Sequence, residues 1–174
     1  SIAPIQFLPR ASRLLDIGTG GGFPGIPLKI AMPAVTVTLI DASRKKVGFL
    51  TQVSRLLGLD RLQAVHARAE QLAPQRRSRN DRRTAAADTR IDSLPEFFNL
   101  IVTRAVAPLD DLLSLGLPVL SEKGVMVAYK GRVSGKEIDF DRCAAEGLSV
   151  TVHRYELPYL KLKRSVVIFH RGVS

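Results

Sequence analysis

Tryptophan is absent from this chain of 174 residues, and cysteine occurs once, as Cys143. A single cysteine excludes an intrachain disulfide framework and indicates a reducing compartment. No run of about 18 apolar residues is present, and the first residues lack the basic-then-apolar pattern of a signal peptide. We therefore expect a soluble, cytoplasmic protein in which Cys143 fills the core and does not act as a nucleophile.

Acidic residues are scarce relative to basic ones. The chain has 16 Asp and Glu against 26 Lys and Arg, a formal net charge of +10. Such an excess favours partners with phosphate backbones, or an anionic membrane surface, over a small neutral substrate alone. A solvated basic surface without a partner is the simpler alternative. The hydrophobic share of 45% suffices for one core and excludes a disordered chain.

Neither a metal site nor an acid–base pair is visible in the sequence. The three histidines, His66, His153 and His170, all fall in strand-like runs, and no metal-ligand spacing is present. We interpret them as structural and expect no metal cofactor.

Apolar runs alternate with helix-like stretches, which is typical of a parallel sheet covered by helices on both faces. The first five predicted strands are RLLDIG, VTVTLID, LQAVHAR, FFNLIVTRAVA and GVMVAYKG. The last two runs, LSVTVHRYELP and RSVVIFHR, predict an antiparallel hairpin at the sheet edge. A segment at about 71–96 carries six arginines and little periodicity, which predicts a basic inserted loop. The sequence therefore predicts one doubly wound α/β domain over residues 1–174.

The stretch LLDIGTGGGFPGIPL, Leu14–Leu28, allows two interpretations. It contains a literal G-x-G-x-x-G from Gly20 to Gly25, the fingerprint of a dinucleotide-binding loop. However, prolines flank the last of these glycines and change how the following helix begins. This interpretation also leaves Asp16, at the end of the first strand, without a role.

A bound methyl donor would give Asp16 a role. S-adenosylmethionine has no phosphate, and it carries a sulfonium and an ammonium group. The carboxylate of Asp16 favours these positive groups, while Gly18 and Gly20 let the backbone lie along the ligand. Asp41, at the end of the second strand, is placed to accept both hydroxyl protons of a ribose, but that placement is common to both cofactor classes. The residues alone leave both cofactors open, together with a purely structural glycine turn.

The same stretch resembles the glycine loop of the bacterial ribosomal small-subunit (16S) RNA guanine-N7 methyltransferases, the glucose-inhibited division protein B family. Further stretches agree in order and spacing: LIDASRKKVGFLTQV, ARAEQL, VTRAVAPLDDLL, YKG and RSVVIFHR. The resemblance covers about residues 11–73 and 97–171. It implies a class I S-adenosylmethionine-dependent methyltransferase fold, Rossmann-like and mostly parallel, that methylates N7 of a guanine in 16S ribosomal RNA. The literal G-x-G-x-x-G then becomes incidental.

The resemblance also implies roles for individual residues. Gly18 and Phe23 correspond to loop positions that line the methyl donor, and Ala69 and Glu70 to a pair beside the adenine. Arg104 corresponds to the arginine of the fourth-strand motif, whose planar fork suits a carboxylate or a phosphate. It is the one possible catalytic residue.

This chain departs from the family pattern at three places. Asn99 stands where the family often has Asp. The family's helical N-terminal region is largely absent ahead of the first strand. The arginine-rich segment at about 71–96 is not typical of the family, and its role is open.

Basic residues near the carboxyl ends of the strands are the candidates for contacts with RNA phosphates. They are Arg44, Lys45, Lys46, Lys130, Lys163 and Arg164. Aromatic residues that could stack on bases are few, and the candidates are Phe23, Tyr129 and Tyr159.

Transfer to guanine N7 needs no general base, because N7 carries a lone pair and no proton. The task is then to hold N7, the methyl carbon and sulfur in line, with the reacting atoms about 3 Å apart. We expect a monomer that acts on small-subunit RNA or an assembling subunit. The alternatives are a methyltransferase of this fold acting on another RNA or a small molecule, a dinucleotide-dependent oxidoreductase, and a non-catalytic RNA-binding module.

Overall fold

The computed structural model describes residues 2–72, 94–104, 108–131, 133–134, 137–157 and 159–172. Seven strands form its sheet: β1 (Arg13–Ile17), β2 (Thr36–Asp41), β3 (Leu62–His66), β4 (Phe98–Arg104), β5 (Leu120–Lys130), β6 (Leu148–Glu156) and β7 (Lys163–Arg171). The α-helices of these residues are α1 (Gly25–Ala31), α2 (Arg44–Leu56), α3 (Leu109–Gly116) and α4 (Phe140–Ala145). Short 3-10 turns lie at Ile5–Phe7, Ala69–Gln71 and Leu117–Val119. Within the described ranges, no helix is long and apolar enough to span a bilayer.

The strand order is β3-β2-β1-β4-β5-β7-β6. The strands from β1 to β5 pair in parallel, whereas β7 runs antiparallel to both β5 and β6. The predicted mostly parallel sheet with an antiparallel C-terminal hairpin is therefore confirmed. The order differs from the 3-2-1-4-5-6 order typical of dinucleotide-binding domains, because β7 separates β5 from β6.

Two buried layers flank the sheet. Leu14 packs with residues of α1 and α2 on one face, and Leu15 packs with residues of α3 and α4 on the other. Both faces of β1 are covered, which is why Leu14, Leu15 and Ile17 do not alternate with exposed polar residues. Cys143, in α4, is buried in the second layer, as expected for core filler.

Two elements differ from the sequence prediction. Strand β5 begins at Leu120, four residues before the predicted run GVMVAYKG, because α3 stops at Gly116 and Pro118 follows in a 3-10 turn. Helix α4 was not predicted. It is six residues long, and its N-cap Asp139 accepts a hydrogen bond from the backbone N–H of Arg142 at 2.9 Å. The predicted basic insertion lies mostly outside the described residues.

Asn99 links the start of β1 to β4. Its Oδ1 accepts hydrogen bonds from Ser12 N at 3.2 Å, Ser12 Oγ at 2.7 Å and Arg13 N at 2.9 Å. An aspartate carboxylate can accept the same three bonds. Asparagine and aspartate can therefore make the same link between β1 and β4.

Candidate active site

The candidate residues meet at the carboxyl edge of the parallel strands. The chain order reverses between β1 and β4, so the connections that follow these neighbouring strands diverge and leave a crevice. The loop from Gly18 to Pro24 follows β1, Asp41 ends β2, and Arg104 ends β4. The 3-10 turn Ala69–Gln71 follows β3. The fold thus brings together the positions that the sequence indicated for the cofactor.

Glycines shape the loop after β1, and β2 holds it in place. Gly18 and Gly20 have φ values of +66° and +59°, in the left-handed region that L side chains avoid. The backbone N–H of Thr19 donates to the carbonyl of Ile40 at 3.0 Å. The N–H of Gly20 donates to Oδ2 of Asp41 at 2.9 Å. The loop is therefore fixed to the end of β2 by two of its own amides.

Asp16 supports this loop from inside. Its side chain is completely buried, and its Oδ2 accepts hydrogen bonds from Thr19 Oγ1 at 2.7 Å and from Gly25 N at 2.8 Å. Gly25 is the first residue of α1, so the carboxylate lies at the start of that helix. The other oxygen, Oδ1, is buried and has no hydrogen-bond partner among the described residues. The hydrogen bonds of Oδ2 give Asp16 a role in holding the loop, and its contact with a methyl donor stays a prediction.

Burial raises the pKa of Asp16 from 3.8 to about 7, and the hydrogen bonds from Thr19 and Gly25 and the charge of Arg104 oppose this rise only in part. A carboxyl group whose pKa is higher in the folded state holds its proton more tightly when folded. It therefore makes unfolding progressively easier as the pH rises from about 4 to about 7.

We expect Asp16→Asn to remove this part of the pH dependence, since an amide of the same shape does not titrate. The unfolding free energy of the variant relative to the unmodified chain should increase between about pH 4 and pH 8. Urea unfolding of both proteins across that range measures the difference. A difference that is constant with pH would contradict the buried, titrating carboxyl.

Asp41 is nearly buried, with 8% of its surface exposed. In addition to the bond from Gly20 N, its Oδ1 accepts from Ser43 N at 2.9 Å, and Lys46 Nζ lies 3.6 Å from Oδ2. Each carboxylate oxygen can accept more than one hydrogen bond, so acceptor capacity is left for hydroxyl groups of a ligand. The sequence did not single out Thr19 or Ser43. The signal that could have found them is their position, since Thr19 lies between two loop glycines and Ser43 lies two residues after Asp41.

Phe23 and Arg104 are brought into contact at the rim of the crevice. The guanidinium carbon of Arg104 lies 5.5 Å from the centroid of the Phe23 ring, a cation–π arrangement. Phe23 keeps 45% of its surface exposed, and its peptide bond to Pro24 is cis. Both side chains are therefore available to a ligand from the solvent side.

Ala69 and Glu70 lie beside the end of β2. Ala67 N donates to the Asp41 carbonyl at 3.3 Å, and the Gln71 side chain accepts from Arg68 N at 2.8 Å, which closes the turn. Ala69 is half-buried and Glu70 is exposed. The backbone of this turn can face a ligand bound along the edge.

Two glycines of the literal G-x-G-x-x-G are required by packing. A Cβ on Gly22 would lie 2.5 Å from Ile26 Cδ1 and 2.9 Å from Leu50 Cδ2. A Cβ on Gly25 would lie 2.7 Å from Asp16 Oδ2 and would also overlap the Leu39 side chain. The pattern is therefore not incidental to the fold, although these packing roles do not identify a cofactor.

The basic candidates for RNA contact form two groups at this edge. Arg44, Lys45 and Lys46 are exposed in the first turn of α2, although Lys46 is paired with Asp41. Lys130 is the last residue of β5, beside the start of β7, where Lys163 and Arg164 lie. Three strand spacings, or about 14 Å, separate the end of β2 from the end of β5.

The two tyrosines that were candidates for stacking on a base differ in exposure. Tyr129 is 5% exposed, so the prediction that it could stack on a base is wrong. Tyr159 is fully exposed.

The three histidines lie on β3, β6 and β7, where His66 Nε2 is 3.0 Å from the Ala42 carbonyl and His153 stacks on Phe7. Within the described ranges, no three His, Cys, Asp or Glu residues are grouped so that they could hold a metal.

The strand order and the loop after β1 define a class I methyltransferase fold. A methyltransferase from Pyrococcus furiosus shares it with a TM-score of 0.67 at 14% identity, over 98% of this chain and 80% of that one. The family model GidB, rRNA small subunit methyltransferase G, matches residues 1–166. This chain belongs to that family, which confirms the resemblance seen in the sequence.

Two relatives carry the description "Ribosomal RNA small subunit methyltransferase G". The protein from Geobacter sulfurreducens is 35% identical over 96% of this chain and 70% of its own length. The protein from Thermoanaerobacter sp. (strain X514) is 35% identical over 94% of this chain and 60% of its own length. The chain thus spans between 60% and 70% of the length of these two curated relatives.

Proposed function

We propose that this chain is an S-adenosylmethionine-dependent methyltransferase that methylates N7 of a guanine in 16S ribosomal RNA. Membership of the GidB family supports the reaction and the RNA substrate. The observation that carries the choice of cofactor is the internal hydrogen bonding of the loop after β1.

A pyrophosphate needs free backbone N–H groups at a helix N-terminus. Here the amides of Thr19, Gly20 and Gly25 already donate to acceptors of the chain itself. The side chain of Asp16 occupies the position at the start of α1 where an anion would lie. A ligand without phosphates suits this loop, which favours S-adenosylmethionine over a dinucleotide.

The residues around the crevice fit such a ligand. Asp41 can accept from ribose hydroxyls, and the turn at Ala69 and Glu70 can face the adenine. Gly18, Gly20 and Phe23 belong to the loop that can lie along the ligand, and Arg104, which contacts the Phe23 ring from the end of β4, can donate to a carboxylate or a phosphate. Bound S-adenosylmethionine supplies an electrophilic methyl group.

The chain's own contribution is positioning. Because guanine N7 carries no proton, no side chain has to remove one. Asp16 and Asp41 hold the loop rigid through Gly25 and Gly20, so that the crevice keeps one shape. Orientation of this kind is worth several orders of magnitude in rate.

The test is methyl transfer from labelled S-adenosylmethionine to 16S ribosomal RNA and to small ribosomal subunits, followed by analysis of the modified nucleosides. We expect the label in 7-methylguanosine. Label on another atom or another base, or label in a small molecule or transfer RNA alone, would contradict the proposal. A monomer in gel filtration and a cytoplasmic location stay predictions of the same proposal.

A further inference from the structure

The connection between β6 and β7 exposes large side chains that the proposed catalytic site does not use. Tyr159 is fully exposed, and Leu160 and Leu162 are exposed as well. Lys161 and Lys163, which are also exposed, alternate with these residues along the chain. An aromatic ring interleaved with cations is a combination that binds single-stranded nucleic acid.

This connection lies at the same edge as the crevice. Lys130, at the carboxyl end of β5, pairs with Ser165, and Arg104, at the end of β4, pairs with Tyr129. The turn therefore leaves the sheet two strands away from Arg104, at a distance of about 10 Å. That is within the reach of one or two nucleotides.

The backbone of the turn is held in an unusual conformation. Tyr159 and Lys161 have φ values of +68° and +49°, which side chains other than glycine rarely adopt. Leu157 N donates to the Leu162 carbonyl at 3.0 Å, and Lys161 N donates to the Leu157 carbonyl at 3.2 Å. Such outliers persist where the surrounding structure fixes them, and they cluster at ligand-binding positions.

A basic cleft adjoins the turn. Its volume is about 600 Å³, which lies within the range of small-ligand sites. Among the described residues, three cations, Arg154, Lys163 and Arg164, line it together with one acid, Glu156. Val133, Tyr155 and Ser165 also line it. The charge suits an anionic ligand, and the volume suits a single nucleotide.

We propose that this turn and cleft bind an unpaired nucleotide of the RNA substrate, close to the guanine that is methylated. The Tyr159 ring stacks on the base, and Lys163 and Arg164 neutralise its phosphate. An unpaired base is required because the ring faces of a duplex are already stacked on each other. The inference rests on the proposed function and adds a second contact to the RNA.

The experiment compares Tyr159→Ala and Tyr159→Phe with the unmodified chain. We expect Tyr159→Ala to raise the KM for 16S ribosomal RNA by about 10-fold, the scale of one lost base stack. The KM for S-adenosylmethionine should be unchanged, and Tyr159→Phe should restore the affinity for RNA. Leu56→Ala is the control. It removes a large exposed side chain at the last residue of α2, which is the end of that helix away from Arg44, and it should change neither KM.

The affinity for RNA can also be measured directly by fluorescence anisotropy, which does not depend on methyl transfer. An affinity for RNA that is equal in Tyr159→Ala and the unmodified chain would overturn it. So would a loss of binding to anionic lipid vesicles in Tyr159→Ala with no loss for RNA, since the turn would then be a membrane contact. Absence of methyl transfer by the unmodified chain, with RNA binding that still depends on Tyr159, would count against the proposed function alone.

Discussion

Gly25→Ala is expected to lower the free energy of unfolding by about 2–4 kcal/mol, from overpacking together with a disturbed buried hydrogen bond. The new Cβ would lie 2.7 Å from Asp16 Oδ2 and would overlap the Leu39 side chain. Both neighbours are completely buried, so neither can move aside cheaply. The shift would also displace the Gly25 N–H from Asp16 and distort the loop. Urea unfolding followed by circular dichroism measures the loss.

Gly48→Ala is the matched control. Gly48 lies within α2, and a Cβ placed on it would have no neighbour within 4 Å. Replacing a glycine inside a helix by alanine stabilises the helix by about 0.5–1 kcal/mol. The two substitutions should therefore shift the urea concentration at the midpoint of unfolding in opposite directions. A Gly25→Ala variant as stable as the unmodified chain would contradict the close packing of α1 on β1.

The second large effect concerns the cofactor. Asp41→Ala should weaken the binding of S-adenosylhomocysteine by about 1–3 kcal/mol, roughly 5- to 150-fold, the scale of lost charge-assisted hydrogen bonds. The substitution removes the proposed acceptor for the ribose, and it also leaves the amides of Gly20 and Ser43 without their acceptor. Isothermal titration calorimetry measures the affinity.

Lys46→Ala separates this role of Asp41 from its ion pair. Lys46 is exposed, and its Nζ lies 3.6 Å from Asp41 Oδ2. A pair of this kind contributes about 0–1 kcal/mol. We expect the affinity for S-adenosylhomocysteine to change by less than about 5-fold in Lys46→Ala. An unchanged affinity in Asp41→Ala would remove Asp41 from the proposed cofactor site.

The regular elements could be predicted from the sequence because their patterns are local. Strand β1 contains three apolar residues just before a glycine loop, and strand β2 is rich in β-branched residues and ends at Asp41, so that both signals lie within a few residues. Helix α4 could not be predicted in this way, since it has six residues and owes its position to Cys143 in the core and to the Asp139 cap. The start of β5 depends on pairing with Phe98 across a register shift in β4, which no local pattern reveals.

Some residues of the candidate site could likewise be predicted from local patterns, and others could not. The positions of Gly18, Asp41 and Arg104 follow from strand ends, and parallel strands bring such ends to one edge. The role of Asp16 could not be predicted from the sequence. An acidic residue near the end of a strand gives the same sequence pattern whether it faces a ligand or accepts from the first amide of the next helix. The contact between Phe23 and Arg104 joins segments far apart in the chain, so that the sequence places both at the site but does not pair them.

We propose that the loop after β1 holds a methyl donor and not a dinucleotide. Calorimetric titration of the unmodified chain with S-adenosylhomocysteine, and in parallel with NAD, tests it most directly. We expect saturable binding of S-adenosylhomocysteine and no heat of binding for NAD at the same concentrations. Binding of NAD without binding of S-adenosylhomocysteine would contradict the claim.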